Sequence, residues 1–192
     1  GTKISYVAQS AAASFNPAHR VIKQYMEGPI RHGLMDSNQA EEEAIAIYDR
    51  LFLPNPEKIG FRYPHELSGG QLQRAMVAMA KSCQPDIIVF DEPTTALDVT
   101  TQIEVLAAIK EITEKMNKAA LYITHDLAVV AQVAHRIMVL RNGTLVEEGN
   151  VREILKNPQK QYTRDLLNVR NLRSEKSLAE KQDVILEIKD VE

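Results

Sequence analysis

The residues with the most chemical potential in this 192-residue sequence are a few polar groups at the ends of apolar runs. The sharpest group is Leu67-Ser68-Gly69-Gly70-Gln71. Ser68 followed by Gln71 has the form of a capping box, which by itself accounts for a helix start. It does not account for two adjacent glycines. At a helix N-terminus glycines let the backbone come close to an anion, where free N–H groups and the helix dipole favour phosphate oxygens. Farther on, Ile87-Ile88-Val89-Phe90 ends in the carboxylate pair Asp91-Glu92, and the run Ala119 to Thr124 ends at His125. An acidic strand end also reads as a solvent-facing turn, and a lone histidine as packing or surface detail. What these groups do therefore depends on where the chain places them.

The elements that must position them show in the spacing of apolar residues. Lys3 to Ala8 reads as a short strand, followed by an Ala/Ser-rich loop from Gln9 to Pro17. Ala40, Ala44, Ile47, Tyr48 and Leu51 recur at helical spacing between Ser37 and Leu53, with Pro54 and Pro56 to end that helix. Ser68 opens a helix whose apolar face is Leu72, Ala75, Met76, Met79 and Ala80, extended by Cys83. The continuous run Ile87 to Phe90 predicts a strand covered on both faces. A helix over about Val99 to Met116 follows, with Asp98 as its N-cap and Val99, Ile103, Leu106, Ile109 and Ile112 as its apolar stripe. Ala119 to Thr124 predicts a second buried strand. Strand, crossover helix, strand implies a parallel α/β sheet whose ligands sit at the C-terminal strand ends, where Asp91, Glu92 and His125 fall. Asn142-Gly143 predicts a tight hairpin between Arg136–Leu140 and Thr144–Glu148.

Composition narrows the function classes. A net charge of −3 with 26% charged residues marks no polyanion-binding surface, and the six tyrosines, including Tyr6 and Tyr122, do not interleave with basic residues. Nucleic acid is not the expected partner. Cys83 is the only cysteine, which excludes an internal disulfide and a cysteine-based zinc cluster. His19, His32, His65 and His135 show no metal-ligand spacing. No apolar run approaches the roughly 20 residues needed to span a bilayer, so membrane attachment is expected to come through a partner protein.

Taken in order, Gln9, Leu67-Ser68-Gly69-Gly70-Gln71, Asp91-Glu92, Thr95-Ala96-Leu97-Asp98 and His125 resemble the motifs of the nucleotide-binding domain of ATP-binding cassette (ABC) transporters. The resemblance implies a P-loop NTPase-like α/β fold with a partly parallel sheet and a helical subdomain, an ATPase activity, and ATP and Mg2+ as cofactors. By the family pattern Gln9 touches the metal and senses the membrane partner, and Gln9, Ser68, Gly69, Gly70 and Gln71 bind ATP. Asp91 holds magnesium through its water shell, Glu92 polarises the attacking water as general base, and His125 contacts the terminal phosphate. Asp98 reaches across a dimer interface, although its helix-capping role is an equally good structural reason for it.

A phosphate-gripping loop requires Gly-x-x-x-x-Gly-Lys followed by Ser or Thr, and no such pattern occurs here. The N-terminal part of the parent fold is thus expected to be missing, and hydrolysis by this polypeptide alone to fail. The expected organisation runs as follows: a core strand end and glutamine loop over 1–17, the helical subdomain over 18–66, and the signature helix and catalytic core over 67–157. A C-terminal extension over 158–170, a linker over 171–183 and the first strand of a second cassette over 184–192 complete it. Ser14-Phe15-Asn16-Pro17, Tyr63-Pro64-His65-Glu66 and Pro158 through Arg164 resemble the oligopeptide/dipeptide (nickel) importer subfamily. That resemblance implies four things: a head-to-tail dimer with a second ABC ATPase domain, possibly tandem in the same chain; transmembrane permease subunits; an extracytoplasmic solute-binding protein; and a place at the cytoplasmic face of the cell membrane. Two alternatives stay open: a non-catalytic module that completes another subunit's ATP site, and a soluble cassette ATPase acting on ribosomes or DNA.

Overall fold

The computed structural model describes residues 1–95, 97–115 and 118–168. The expected linker over 171–183 and strand over 184–192 lie outside the described residues. The chain divides into two units, 1–129 and 130 onward. Residues 18–66 lie within the first unit.

In the first unit, β1 (Ile4–Val7), β2 (Ile87–Asp91) and β3 (Ala119–Ile123) form a parallel sheet with β2 in the middle. The register pairs Val7 with Phe90 and Asp91 with Ile123, so the three strands end nearly level. Val7, Ile88 and Phe90 are buried on one face. They share a core with Val77 and Ala78 of α5 (Gly69–Lys81) and with Val105, Ala108 and Ile109 of α6 (Val99–Lys110). The opposite face differs from expectation. Ile4, Tyr6, Ile87, Leu121 and Ile123 are between 39% and 57% exposed, because no described element packs over them. β2 is therefore covered on one face and β3 only partly, through Tyr122, where their apolar runs predicted burial.

The helical stretch contains α1 (Ala11–Ser14), α2 (Val21–Arg31), α3 (Ser37–Arg50) and α4 (Pro56–Ile59). α3 starts in a capping box between Asp36 and Gln39, and it buries Ala40, Ala44, Ile47 and Tyr48, with Leu51 just beyond its end. It stops before either proline: Phe52 turns left-handed at φ 57°, and Pro56 instead begins α4, where its missing N–H has no cost.

α5 is buried almost all round, polar residues included. Gln73 donates to the Ala8 carbonyl at 3.2 Å. The Arg74 guanidinium pairs with Glu104 of α6 at 2.9 Å and donates to the carbonyls of Leu51 and Phe52 at the end of α3. α6 also departs from expectation, since Val99 and Ile103 are 74% and 62% exposed. Its first turn meets α5 through Thr101, and the buried face runs through Val105, Leu106, Ala108 and Ile109, so the predicted stripe holds at Leu106, Ile109 and Ile112 and fails in the first two turns. The helix ends at Lys110 and a π-helical turn, Glu111–Lys115, follows with Ile112 buried.

The boundary between the units falls within α7 (Leu127–Val133). In the second unit β4 (Arg136–Arg141) and β5 (Thr144–Asn150) form the predicted antiparallel hairpin. Asn142 and Gly143 both take positive φ, 49° and 73°, as its tight turn requires. Ile137 and Val139 pack with Ile154 of α8 (Val151–Lys156). Glu147 accepts from the N–H groups of Gln159 and Lys160 at 2.7 and 3.1 Å, fastening the approach to a last helix over 161–168.

Arg74 joins three elements, so Arg74→Ala leaves Glu104 and two carbonyls without their shared donor. The expected loss is about 3 kcal/mol, lowering Tm by roughly 6–12 °C. Thermal denaturation followed by circular dichroism checks it, and a change under about 2 °C contradicts the assignment.

Candidate functional site

β2 delivers a carboxylate to the sheet's C-terminal edge and the backbone then turns sharply. Glu92 has φ 44°, a left-handed conformation that costs a non-glycine residue energy and gathers at functional sites. Its N–H donates to the Ile123 carbonyl at 2.9 Å, which extends the β2–β3 ladder by one residue and fixes the side chain's origin. The carboxylate is held on both oxygens. Oε1 lies 2.9 Å from Nδ1 of His125, while Oε2 accepts from Nε2 of Gln9 at 3.1 Å and from Oγ1 of Thr95 at 3.0 Å. Gln9 stands two residues past β1, Glu92 one past β2 and His125 two past β3, so each strand contributes one member. The His125 bond, then the Thr95 bond, lowers the Glu92 pKa below its ordinary 4.5. An anionic carboxylate with these partners can accept a proton from water and can orient it.

Asp91 points to the open face of the sheet, where the phenol of Tyr6 donates to its Oδ2 at 2.5 Å and is itself raised in pKa by that bond. The sequence alone gives Tyr6 no role and names Thr95 only as part of Thr95-Ala96-Leu97-Asp98. The signal for Tyr6 was the strand's alternation, which carries meaning only once β1 is known to lie beside β2. Thr95 was within reach, three residues beyond Glu92.

The other expected site residues form a second group. Ser68 and Gly69 are exposed and Gly70 is buried. Ser68 Oγ accepts from the Gln71 N–H at 3.3 Å, and Gln71 Oε1 accepts from the Ser68 N–H at 3.1 Å, so the Gln71 side chain is used by the capping box. Asp98 caps α6. Its two oxygens accept from the Thr101 N–H at 3.0 Å and the Thr101 hydroxyl at 2.7 Å, which lowers its pKa. These side chains are held by their own helix caps and not by the Glu92 cluster.

Among the described residues no group of three or more His, Cys, Asp or Glu side chains gathers to hold a metal ion. Asp91, Glu92 and Gln9 offer oxygen donors. Mg2+ takes one or two carboxylates and completes its shell with water and substrate phosphates, so this donor set fits Mg2+ arriving with a nucleotide.

Comparison with known proteins finds similarity to ATP-binding proteins of ABC transporters. A family model described as ABC transporter matches residues 1–95. The chain is 41% identical over 167 residues to the oligopeptide transport ATP-binding protein OppD of Lactococcus lactis subsp. cremoris (strain SK11), covering 87% of this chain and 49% of that one. It is 42% identical over 167 residues to the glutathione import ATP-binding protein GsiA of Escherichia coli (strain K12), covering 87% of this chain and 27% of that one. The chain thus spans about half of the first relative's length and about a quarter of the second's. Of the solved structures, a dimeric ATP-binding cassette in a post-hydrolysis state with ADP and Pi matches with a TM-score of 0.67 at 28% identity, over 78% of this chain and 63% of that one. A metal-chelate type ABC transporter in an inward-facing conformation matches with a TM-score of 0.70 at 25% identity, over 87% and 64%.

A carboxylate whose folded pKa is depressed stabilises the native state above its ordinary pKa, and that contribution is lost as pH falls through the folded value. Glu92 is thus expected to titrate below 4.5 in a carboxylate-resolved NMR titration. In His125→Ala its midpoint should rise toward the ordinary value, and a midpoint at or above 4.5 in the wild type contradicts the assignment.

Proposed function

Because the chain belongs to the ABC transporter family, we propose that it supplies the hydrolytic carboxylate and the signature face of an ATPase that energises import of peptides or a related small solute. The observation that carries this reading is the convergence of Gln9, Glu92 and His125 from three strand ends. Glu92 takes the proton of the attacking water, and His125 and Gln9 hold the carboxylate in place and orient the groups around it. Asp91 and Gln9 are the residues that would hold Mg2+ through water. When bound, that ion neutralises charge developing on the phosphoryl oxygens.

Ser68, Gly69, Gly70 and Gln71 present a helix N-terminus to an ATP held by a second cassette in a head-to-tail dimer, and Asp98 lies on the same interface. These 192 residues contain no Gly-x-x-x-x-Gly-Lys loop, so the grip on the β- and γ-phosphates must come from other polypeptide. The open apolar face of the sheet, with Ile4, Tyr6, Leu121 and Ile123, is the surface that such polypeptide would cover. The transport reading brings permease subunits and an extracytoplasmic solute-binding protein as partners, with the chain at the cytoplasmic face of the membrane. Among the described residues no helix is long and apolar enough to cross a membrane. On the same reading residues 18–66 are the helical subdomain, 158–170 the importer-type extension, and 171–192 a linker leading to the first strand of a second cassette.

The lack of a phosphate-gripping loop beside an intact signature face also favours a second reading, in which the chain completes a partner's ATP site without turning over its own. Measuring ATP turnover of the 192-residue chain alone and mixed with an intact cassette separates the two. Turnover by the chain alone should be indistinguishable from background on either reading. Stimulation of the intact cassette that survives Glu92→Gln but is lost with Ser68→Arg supports the partner role. Turnover by the chain alone that Glu92→Gln abolishes overturns both.

A further inference from the structure

The two signature glycines are not equivalent in this fold. A β-carbon on Gly69 would meet only Leu97 Cδ2 at an ordinary 3.7 Å. A β-carbon on Gly70 would stand 2.0 Å from Thr101 Cγ2 and 3.3 Å from Thr101 Cβ, too close for both to be accommodated. Thr101 has little room to yield, because β-branching stiffens its side chain and its hydroxyl is already committed to Asp98 at 2.7 Å. One turn farther along the same seam, Arg74 of α5 meets Glu104 of α6 at 2.9 Å. Gly70 and Arg74, four apart on α5, thus face Thr101 and Glu104, three apart on α6, as neighbouring rungs of one helix contact.

Thr101 belongs to both interface motifs at once. Its methyl occupies the space that Gly70 leaves, and its N–H and hydroxyl hold the two oxygens of Asp98. We propose that Thr101 is a positioning residue of the ATP site: it sets how closely the signature helix approaches α6 and locks Asp98 to that spacing, so that the two motifs present themselves as one rigid piece. The inference rests on the reading given under Proposed function. It gives Gly70 a helix contact that any side chain would obstruct, whereas a β-carbon on Gly69 meets nothing closer than 3.7 Å.

The test uses the full-length protein that contains this chain, with its partner subunits, and reads kcat, KM for ATP and Tm. Gly70→Ala should lower both Tm and kcat, the latter at least about tenfold, although alanine is the better helix former. Adding Thr101→Ser, which deletes the obstructing methyl and keeps the hydroxyl on Asp98, should restore Tm and bring kcat back to within about threefold of the wild type. Thr101→Val, which keeps a methyl and deletes the hydroxyl, should lower kcat about tenfold with KM for ATP within about twofold, the split expected when a positioning contact is lost and nucleotide binding is not.

A double variant that regains Tm but stays as inactive as Gly70→Ala overturns the proposal, because the glycine then acts on the ligand directly. Full activity and Tm in Gly70→Ala, or full kcat in Thr101→Val, overturns it as well. Absence of ATP turnover in the wild type overturns the functional reading itself, and rescue or non-rescue of Tm then still decides whether the Gly70–Thr101 contact exists.

Discussion

Three parallel strands that end within a residue or two of each other are the constraint on which the rest of this structure depends. Parallel pairing sets Val7 beside Phe90 and Asp91 beside Ile123, and the ladder runs one residue farther through the Glu92 N–H. A slip of one residue in either pairing would turn every side chain of the slipped strand to the opposite face. Gln9 and His125 would then no longer bracket the Glu92 carboxylate. The buried alternation of Val7, Ile88 and Phe90 against α5 and α6 is what makes such a slip expensive, so the core on one side of the sheet specifies the chemistry at its edge.

The helices impose a second constraint through polar groups. Arg74 is buried among carbonyls of Leu51, Phe52 and Gly70 with Glu104 as counter-ion, which ties the end of α3 to α5 and α6. Ser68 and Asp98 begin the two helices with side-chain caps, so the start of each helix is held by its own sequence. Signature and loop residues therefore occupy defined positions without touching the Glu92 cluster. That separation is what an ATP site shared between two cassettes would require of one of them.

Much of this was legible from local pattern. The α3 stripe, the Ser68 and Asp98 caps, the parallel strand–helix–strand unit and the Asn142-Gly143 turn each follow from a few neighbouring residues whose types leave little choice. What was not legible depends on neighbours distant in sequence. Leu121 and Ile123 have the composition of a buried strand, yet burial is decided by what packs against them and not by their own apolarity. Val99 and Ile103 fit a helical stripe, but the first turn of α6 meets α5 through Thr101 and leaves them exposed. Tyr6 reaches Asp91 only because β1 lies beside β2, a pairing that spans most of the first unit's sequence.

On the proposed reading, Glu92 takes a proton from water while other residues hold the nucleotide. The most direct measurement is ATP affinity and turnover of the full-length protein containing this chain, with and without Glu92→Gln. Binding should stay within about threefold of the wild type while turnover falls about 10²- to 10⁴-fold. Turnover within about twofold of the wild type, with binding unchanged, would contradict the account at its centre.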